Sequence, residues 1–439
     1  MSFFAPVSTP VLAEGYTPVL RRAFDHARRV GNYAVVQAVV QLLAFTSGIL
    51  LVRWLPQREY AYFTIANAMQ ATLNVLADIG ISVGVISIGG RVWQDRHRFG
   101  QLINTGLIVR RRLAVFAFLI VAPLLYGMLV RNGASPLYTL LLIAIVLIGF
   151  SVQLSIDVFV VVPRLRSDIA RIQTIDFVCA ITRLALIVGL IYVFTRAGLA
   201  VAIASATFFL QYVLLRTYAA KVIDLKAGEN PEDRREIVRL TKKLAANAVF
   251  YCLQGQITVF LISFFGQQAT DVAEVGALGR LAMITAVLMS TLTNIFVPAF
   301  ARCQDKAKLR VLYLLIAGGV ALFSVIVLGA AAFFPDQFLL ILGNRYTHLH
   351  RELVLMVGGA VLIAFGSTLW MLNSSRAWIN GSWLYIPLTL ATQIALIPFT
   401  DFSTVAGVLT FNLIATVPAV LLNLWLSYRG FRGLARSVA

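Results

Sequence analysis

The stretch GNYAVVQAVVQLLAFTSGILLVRWLPQREYAYFTIANAMQATLNVLADIGI, residues 31–81, contains two long apolar runs separated by a short polar turn. Each run reaches about the 20 residues that an α-helix needs to cross the ~30 Å hydrocarbon core of a membrane. The turn between them, RWLPQRE at residues 53–59, holds a proline and three charged residues, which end one helix and begin the next. The stretch therefore predicts a helical hairpin that crosses a membrane twice.

Similar apolar runs continue to residue 426. The chain has 439 residues, of which 59% are hydrophobic and only 13% are charged. This composition excludes an ordinary soluble protein. We predict an all-α polytopic membrane protein of about twelve transmembrane helices. The predicted spans are 32–52, 60–89, 113–130, 137–162, 173–194, 198–215, 244–265, 273–299, 311–334, 352–373, 382–400 and 403–426.

The distribution of basic residues predicts the orientation. With the N-terminus inside, 29 of the 37 lysines and arginines fall in cytoplasmic segments, six fall outside, and Arg183 and Arg280 fall within spans. This bias follows the positive-inside rule and predicts a cytoplasmic N- and C-terminus. Because the charge of +18 follows the loops instead of forming one patch, we expect no nucleic-acid partner.

The most polar internal stretch, AKVIDLKAGENPEDRREIVRLTKK within residues 219–243, divides the chain into two six-span lobes. We predict a cytoplasmic segment at 1–30, an N-lobe at 31–218, a cytoplasmic linker at 219–243, a C-lobe at 244–428 and a cytoplasmic tail at 429–439. The N-terminus has no pattern of a removable signal peptide, and Val19–Val30 is either a basic amphipathic helix on the membrane or a solvated tail.

The two lobes resemble an internal repeat. An ungapped shift of 215 residues lays Asn32 on Asn247, Gln41 on Gln256 and Glu59 on Glu274. Because each half has an even number of spans, the repeat is expected to be parallel, with its axis along the membrane normal. We therefore expect two lobes around a central cavity.

Polar side chains inside spans are energetically costly and are candidates for a substrate pathway or for helix contacts. Arg280, on span eight, is the strongest candidate because a guanidinium lining an aqueous cavity binds phosphate bidentately; snorkelling to the outer interface is the alternative. The other candidates for the cavity wall are Asn32, Gln41, Arg183, Asn247, Gln254 and Gln256.

Three aspartates are candidates for gating or coupling: Asp78 in span two, Asp157 late in span four and Asp176 in span five. Asp176 and Arg183 are seven residues apart on nearly one helical face, which permits an internal ion pair. Interfacial anchoring is the alternative for Asp157 and Asp176.

No catalytic constellation is recognisable, and the four histidines lie outside the spans. His348 and His350 flank one residue, but no cysteine lies near them to complete a metal site. Cys179, Cys252 and Cys303 have no metal-ligand spacing. We expect no enzyme activity, no metal and no cofactor.

These features resemble a known family, the bacterial polysaccharide (O-antigen) flippases of the multidrug/oligosaccharidyl-lipid/polysaccharide (MOP) exporter superfamily. The resemblance covers most of the chain and rests on the twelve-span layout, on residues 31–81 and on EVGALGRLAMITAVLMSTLTNIFVPAF at 274–300. In such proteins the second span closes with an acidic residue before Gly, here Asp78 and Gly80. Span eight carries a glycine followed by a basic residue, here Gly276 and Arg280. Where span seven often carries an acidic residue, this chain has glutamines.

The resemblance implies a transporter of the bacterial inner membrane that flips a polyprenyl-diphosphate-linked oligosaccharide to the outer leaflet by alternating access, for lipopolysaccharide or exopolysaccharide synthesis. It implies that the lipid-linked oligosaccharide, membrane lipids and other polysaccharide-assembly proteins are the partners. Two alternatives remain open. One is small-molecule efflux of the multidrug type, and the other is a membrane glycan polymerase or glycosyltransferase.

Overall fold

A computed structural model describes residues 18–166, 168–303 and 305–436, and no strand occurs in these ranges. The prediction of an all-α protein is confirmed. The helices are α1 (Pro18–Trp54), α2 (Gln57–Asp78), α3 (Ile81–Val92), α4 (Arg96–Arg131), α5 (Pro136–Phe159), α6 (Val161–Leu165), α7 (Ile169–Leu186), α8 (Ala197–Val222), α9 (Pro231–Phe265), α10 (Ala269–Ala282), α11 (Ile284–Thr291), α12 (Val297–Arg302), α13 (Lys306–Phe333), α14 (Pro335–Leu342), α15 (His350–Ser375), α16 (Tyr385–Leu396) and α17 (Val405–Arg436).

Eleven segments of the described chain are long and apolar enough to cross a membrane, and the bent pair α2 and α3 makes a twelfth. The prediction of about twelve spans is therefore confirmed. The axes of α2 and α3 differ by 47°. The bend falls where Ile79 and Gly80 take positive φ values of 29° and 85°, which interrupt the helix. In the second half, a π-helical turn at Leu292–Phe296 separates α11 from α12.

The connections between successive spans lie alternately at the two ends of the bundle. One end of the bundle, the basic face, holds the junctions α3–α4, α8–α9 and α12–α13. Two of these junctions are in contact there, because the backbone NH of Asp224 donates to the carbonyl of Arg96 at 3.1 Å. The other end, the opposite face, holds the junctions α1–α2, α4–α5 and α9–α10, where Tyr62 donates to the carbonyl of Asn132 at 3.3 Å. The names basic face and opposite face are used below for these two ends.

The buried apolar residues form one core near the opposite face and two cores near the basic face. The shared core includes Leu51 and Phe63 of the first half and Leu278 and Leu353 of the second. Near the basic face, one core belongs mainly to α3–α8, and a separate one belongs to α12, α13, α15 and α17. The two halves are thus packed together at the opposite face and have separate interiors at the basic face.

The predicted linker 219–243 is mostly helical. Residues 219–222 end α8, residues 223–230 connect the halves, and α9 begins at Pro231. The first turns of α9 pack on the first half, because Ile237 belongs to the core of α3–α8. Asp233 of α9 is buried and accepts a bidentate pair from Arg98, with 2.6 Å between Arg98 Nη2 and Asp233 Oδ1.

The helix ends also refine the repeat. The ends of α1 and α9, Trp54 and Phe265, are 211 residues apart. The starts of α2 and α10, Gln57 and Ala269, are 212 residues apart. The predicted shift of 215 is therefore off by about one helical turn. One turn leaves a residue on nearly the same helical face, which explains why the sequence alone could not separate the two registers.

Candidate functional site

A buried ionic cluster lies inside the first half. The Arg110 side chain, 1% exposed, donates from Nη2 to Asp157 Oδ2 at 2.6 Å and to Asn74 Oδ1 at 2.7 Å. Asp78 Oδ1 lies 3.4 Å from Arg110 Nη1. A buried guanidinium needs such partners, because an unpaired charge is costly away from water. The cluster joins α2, α4 and α5.

Asp78 also stabilises the bend between α2 and α3. Its Oδ1 accepts from the backbone NH of Ser82 at 3.2 Å and from Ser82 Oγ at 2.6 Å. Asp78 precedes the start of α3, and a carboxylate at this place is stabilised by the unsatisfied NH groups of the first helical turn. The geometry of this bend therefore depends on the Asp78 side chain and on the left-handed backbone of Gly80.

Arg110 was missing from the sequence-based candidates. The sequence places it in a cytoplasmic segment before span 113–130, whereas α4 begins at Arg96 and carries residue 110 about 21 Å along its axis. The apolar residues Leu102, Ile103 and 107–109 before it were the available signal that the helix starts earlier. The neighbouring Arg111 and Arg112 are exposed, as the sequence predicts.

The predicted contact between Asp176 and Arg183 is wrong. Asp176 Oδ1 instead accepts a hydrogen bond from Gln211 Nε2 of α8 at 3.0 Å. Seven residues along a helix correspond to about 10.5 Å of rise, which is too far for an aspartate to meet an arginine directly. Asp157, by contrast, forms an ion pair with Arg110 that joins two helices, and its role in gating or coupling stays a prediction.

Arg280 lies at the junction of the two halves. Its side chain runs across α1 at Gly48, where an added Cβ would lie 3.0 Å from Arg280 Cδ. Arg280 Nε donates to the Tyr60 hydroxyl at 3.3 Å, and its guanidinium lies 5.8 Å from the Phe63 ring centroid. Within the described residues, no carboxylate forms an ion pair with Arg280.

Arg183 is the second cation at this junction. Its helix α7 packs on α1, and α10, which carries Arg280, packs on α1 as well. Among the described residues, Arg183 Nε is buried without a hydrogen-bond partner and no carboxylate forms an ion pair with this residue. The two cations therefore leave an excess of positive charge next to α1.

The predicted amide residues separate into different environments. Gln254 forms a reciprocal pair with Gln393 of α16, with N···O distances of 3.0 and 2.8 Å. Gln41 and Gln256 are half-buried and Asn247 is exposed. Asn32 lies in α1, but its side chain falls outside the described part of the chain. Of the predicted cavity residues with described side chains, Arg183 and Arg280 lie on helices that pack against α1.

A cavity of about 350 Å³ lies inside the second half, between α9, α15, α16 and α17. The sequence-based candidates include only Gln254 from its lining. The remaining polar and aromatic lining includes Tyr251, Trp370, Tyr385, Thr389, Asn412 and Asn423. The cavity was not predictable because it requires the rotational positions of four helices that are distant in sequence.

The opposite face is closed by contacts between the halves. Arg53, at the end of α1, donates to the carbonyls of Leu340 and Ile341 at 2.6 and 2.9 Å. Arg345 donates to the carbonyl of Leu55 at 3.0 Å, in the reverse direction. Both arginines are exposed, so their contacts join the halves without burying free charge.

The two histidines near the opposite face pair with carboxylates. His348 lies 3.1 Å from Glu274 and His350 lies 2.7 Å from Asp336. Within the described residues, no group of three or more His, Cys, Asp or Glu side chains is arranged to hold a metal ion. At the basic face, hydrogen bonding to His97 lowers the pKa of the exposed Asp224 carboxyl below its ordinary value.

No protein-family model and no curated relative matches the sequence. Solved structures do match. The inward-facing conformation of a multidrug resistance MATE family transporter of the MOP superfamily has a TM-score of 0.68 and 17% identity, with 92% of this chain and 100% of that chain covered. The outward-facing conformation of a MATE family transporter of that superfamily has a TM-score of 0.56 and 16% identity, with 93% and 96% covered.

A third match is a MOP superfamily transporter from Pyrococcus furiosus, described by a binding pocket of reversed polarity that suggests a different function. Its TM-score is 0.55 at 17% identity, with 92% of this chain and 94% of that chain covered. The chain therefore has the fold of the MATE transporters of the MOP superfamily, a multi-pass bundle of two helical lobes. The TM-score is higher with the inward-facing conformation than with the outward-facing one.

Proposed function

We propose that this protein is a transporter of the MOP superfamily that flips a polyprenyl-diphosphate-linked oligosaccharide from the cytoplasmic to the outer leaflet of a bacterial inner membrane. The observation that carries this proposal is the pair of arginines beside α1. Arg183 and Arg280 lie on helices that both pack on α1, and no carboxylate of the described chain forms an ion pair with either. An anion with several oxygens, such as a diphosphate, satisfies both.

The physical argument concerns the cost of such cations. A guanidinium within a membrane span is kept only where water, a carbonyl or an anion stabilises it. Arg280 has one neutral oxygen partner, the Tyr60 hydroxyl, and one aromatic face. A diphosphate would add charge-assisted, bidentate hydrogen bonds, which are about twice as strong as neutral ones.

Alternating access is supported by the arrangement of the two halves. If the basic face is cytoplasmic, as the positive-inside rule requires, the separate cores at that face correspond to an inward-open state. Export then requires that the contacts of Arg53 and Arg345 between the halves break at the opposite face. When these contacts break, water replaces the carbonyls as the acceptor of the arginine hydrogen bonds, at little cost in free energy.

The first test is made in cells that lack the protein. We expect finished lipid-linked oligosaccharide to accumulate on the cytoplasmic leaflet, measured with a membrane-impermeant probe before and after permeabilisation. Accumulation on the outer leaflet would point to a glycan polymerase or glycosyltransferase. No accumulation of any lipid-linked glycan would contradict the flippase proposal.

Variants then test the arginine site. Arg280→Ala should abolish surface polysaccharide at normal protein level, and Arg280→Lys should restore only part of it, because an ammonium cannot bind bidentately. Gly48→Val should have a similar effect without changing charge, because its side chain would displace the Arg280 stem. Arg58→Ala, an exposed arginine of the opposite face, is the control. Full export by Arg280→Ala would exclude this role.

Efflux of small cationic drugs is the second candidate, favoured by the likeness in fold to multidrug transporters. Such a site needs free carboxylates. The pocket around the ionic cluster has Asp78 and Asp157 opposed by Arg110 and Arg164, so its formal charges balance. Drug resistance on expression, without a glycan phenotype, would favour efflux over flipping.

A further inference from the structure

The cavity in the second half has a composition unlike that of the rest of the transport pathway. It carries no charged side chain among its lining residues. Its walls instead present amides and hydroxyls, from Gln254, Ser382, Thr389, Asn412 and Asn423, next to aromatic rings. At about 350 Å³ it is within the range of small-molecule binding pockets.

The aromatic wall is preformed. Tyr251 of α9 and Tyr385 of α16 are stacked, with ring centroids 5.2 Å apart and planes 16° apart. Phe250 fixes this pair from the side, with its ring centroid 5.6 Å from that of Tyr385 and perpendicular to it. Trp370 of α15 adds a partly exposed indole. Flat rings of this kind pack against the C–H face of a sugar ring, while the sugar hydroxyls extend to the sides.

Two buried polar atoms of the lining residues lack a hydrogen-bond partner among the described residues, Thr389 Oγ1 and Asn423 Oδ1. Asn423 is 7% exposed, its Nδ2 donates to the carbonyl of Ala419 at 2.8 Å, and its Oδ1 is buried with no hydrogen-bond donor among the described residues. Leaving a buried acceptor unsatisfied costs about 1–3 kcal/mol, so such atoms normally bond to water or to a ligand. A ligand hydroxyl in the cavity would supply the donor.

The location of the cavity fits loading from the basic face. Gln254 lies 11 residues before the end of α9, which is about 16 Å from the opposite face and therefore near mid-membrane. Ser382 and Tyr385, at the start of the α16 segment, lie at the basic-face end. The helices α9 and α15 of this cavity both pack on α10, which carries Arg280.

We propose that this cavity is a subsite for an uncharged sugar residue of the transported glycan. The inference rests on the proposed function and assigns the two parts of the substrate to different places: the diphosphate to Arg183 and Arg280, and a neutral pyranose to the aromatic and amide walls between α9, α15, α16 and α17. Asn423 accepts from a sugar hydroxyl, and the Trp370 indole packs on the ring.

The test compares two radiolabelled lipids on the full-length protein in nanodiscs. One is the lipid-linked oligosaccharide extracted from cells lacking the protein, and the other is sugar-free polyprenyl diphosphate. For Asn423→Leu and Trp370→Leu we expect about tenfold weaker binding of the sugar-bearing lipid, because each variant loses a contact about as strong as one or two hydrogen bonds. Binding of the sugar-free lipid should not change. Trp383→Leu, an exposed tryptophan outside the lining, is the matched control.

Each outcome decides the matter. If the parent binds both lipids equally, or if both variants keep the preference of the parent for the sugar-bearing lipid, the subsite is excluded. Equal weakening of both lipids would assign the cavity to the lipid chain or to stability instead. If the parent binds neither lipid, the proposed function fails and the subsite with it. Trp370→Leu alters a partly exposed residue, so the test stands even if Asn423→Leu fails to fold.

Discussion

The two halves of the molecule share a helical plan but place different polar chemistry inside it. The first half buries Arg110 among Asp78 and Asp157. The second half pairs Gln254 with Gln393 and surrounds a cavity without charge. Buried charge fixes a structure only when its partners stay in place, whereas neutral amides exchange partners at little cost. The comparison indicates a rigid first half and a second half suited to recognition.

The halves also bend differently at corresponding places. The first bends by 47° at Gly80, and the π-helical turn at Leu292–Phe296 lies at the matching position of the second when helix ends are aligned. A left-handed glycine and a π-turn both interrupt regular helix hydrogen bonding, and only the first requires a special residue type. The bend of the first half is therefore the more sensitive to substitution.

The largest expected effect is that of Arg110→Ala. It removes the buried cation shared by Asp78 and Asp157, whose side chains are 28% and 31% exposed, so we expect a cost of about 3 kcal/mol, the lower end of the range for a broken buried ion pair. We expect a large drop in the thermal unfolding midpoint of the detergent-solubilised protein and reduced protein level in the membrane. Arg111→Ala, the exposed neighbour, should leave both unchanged. Equal stability of the two variants would remove the distinction drawn between the halves.

Gly80→Ala comes next. A Cβ at this residue would lie 2.6 Å from Leu244 Cδ1, and φ is 85°, so the substitution should cost about 1–3 kcal/mol. Adding Leu244→Ala should recover only the part due to the contact. The measurement is again the thermal midpoint, with Gly90→Ala as control, since no atom lies within 4 Å of a Cβ there. Full recovery in the double variant would show that backbone strain contributes nothing.

The amide pair of the second half should show a smaller effect. Gln393→Leu leaves Gln254 without its partner and should cost about 1 kcal/mol, the size measured for polar contacts between membrane helices. Replacing both glutamines by leucine should be nearly neutral, because no unsatisfied group remains. A double-mutant cycle on the free energy of unfolding checks this. A double variant as unstable as the sum of the singles would contradict it.

The smallest effect concerns Asp224 at the basic face. Because the His97 contact lowers the pKa of this carboxyl from 3.8, its stabilising contribution is complete above that pH and is lost as pH falls through the lowered value. Asp224→Asn should thus lower the thermal midpoint slightly at pH 7, and the difference from the parent should vanish in strong acid. A difference independent of pH would show that charge is not involved.

The span count was predictable because apolar length is a property of sequence alone. The bend within the predicted span 60–89 was not, because the sequence does not report that Ile79 and Gly80 take positive φ values. Arg280 was identified because an arginine within a span is conspicuous, whereas Arg110 follows an apolar run and precedes two exposed arginines. The partners of Asp176 and Gln254 depend on how helices are rotated, which no local pattern determines.

The helix α9 has a further consequence for how the chain is held together. It belongs to the second half by sequence, yet it forms ion pairs with the first half. Arg98 pairs with Asp233, and Arg91 pairs with Glu236. Only residues 223–230 connect it to α8. We therefore expect two separately synthesised fragments, divided within residues 223–230, to associate in the membrane. The ion pairs and apolar contacts between their surfaces do not depend on the peptide that joins them.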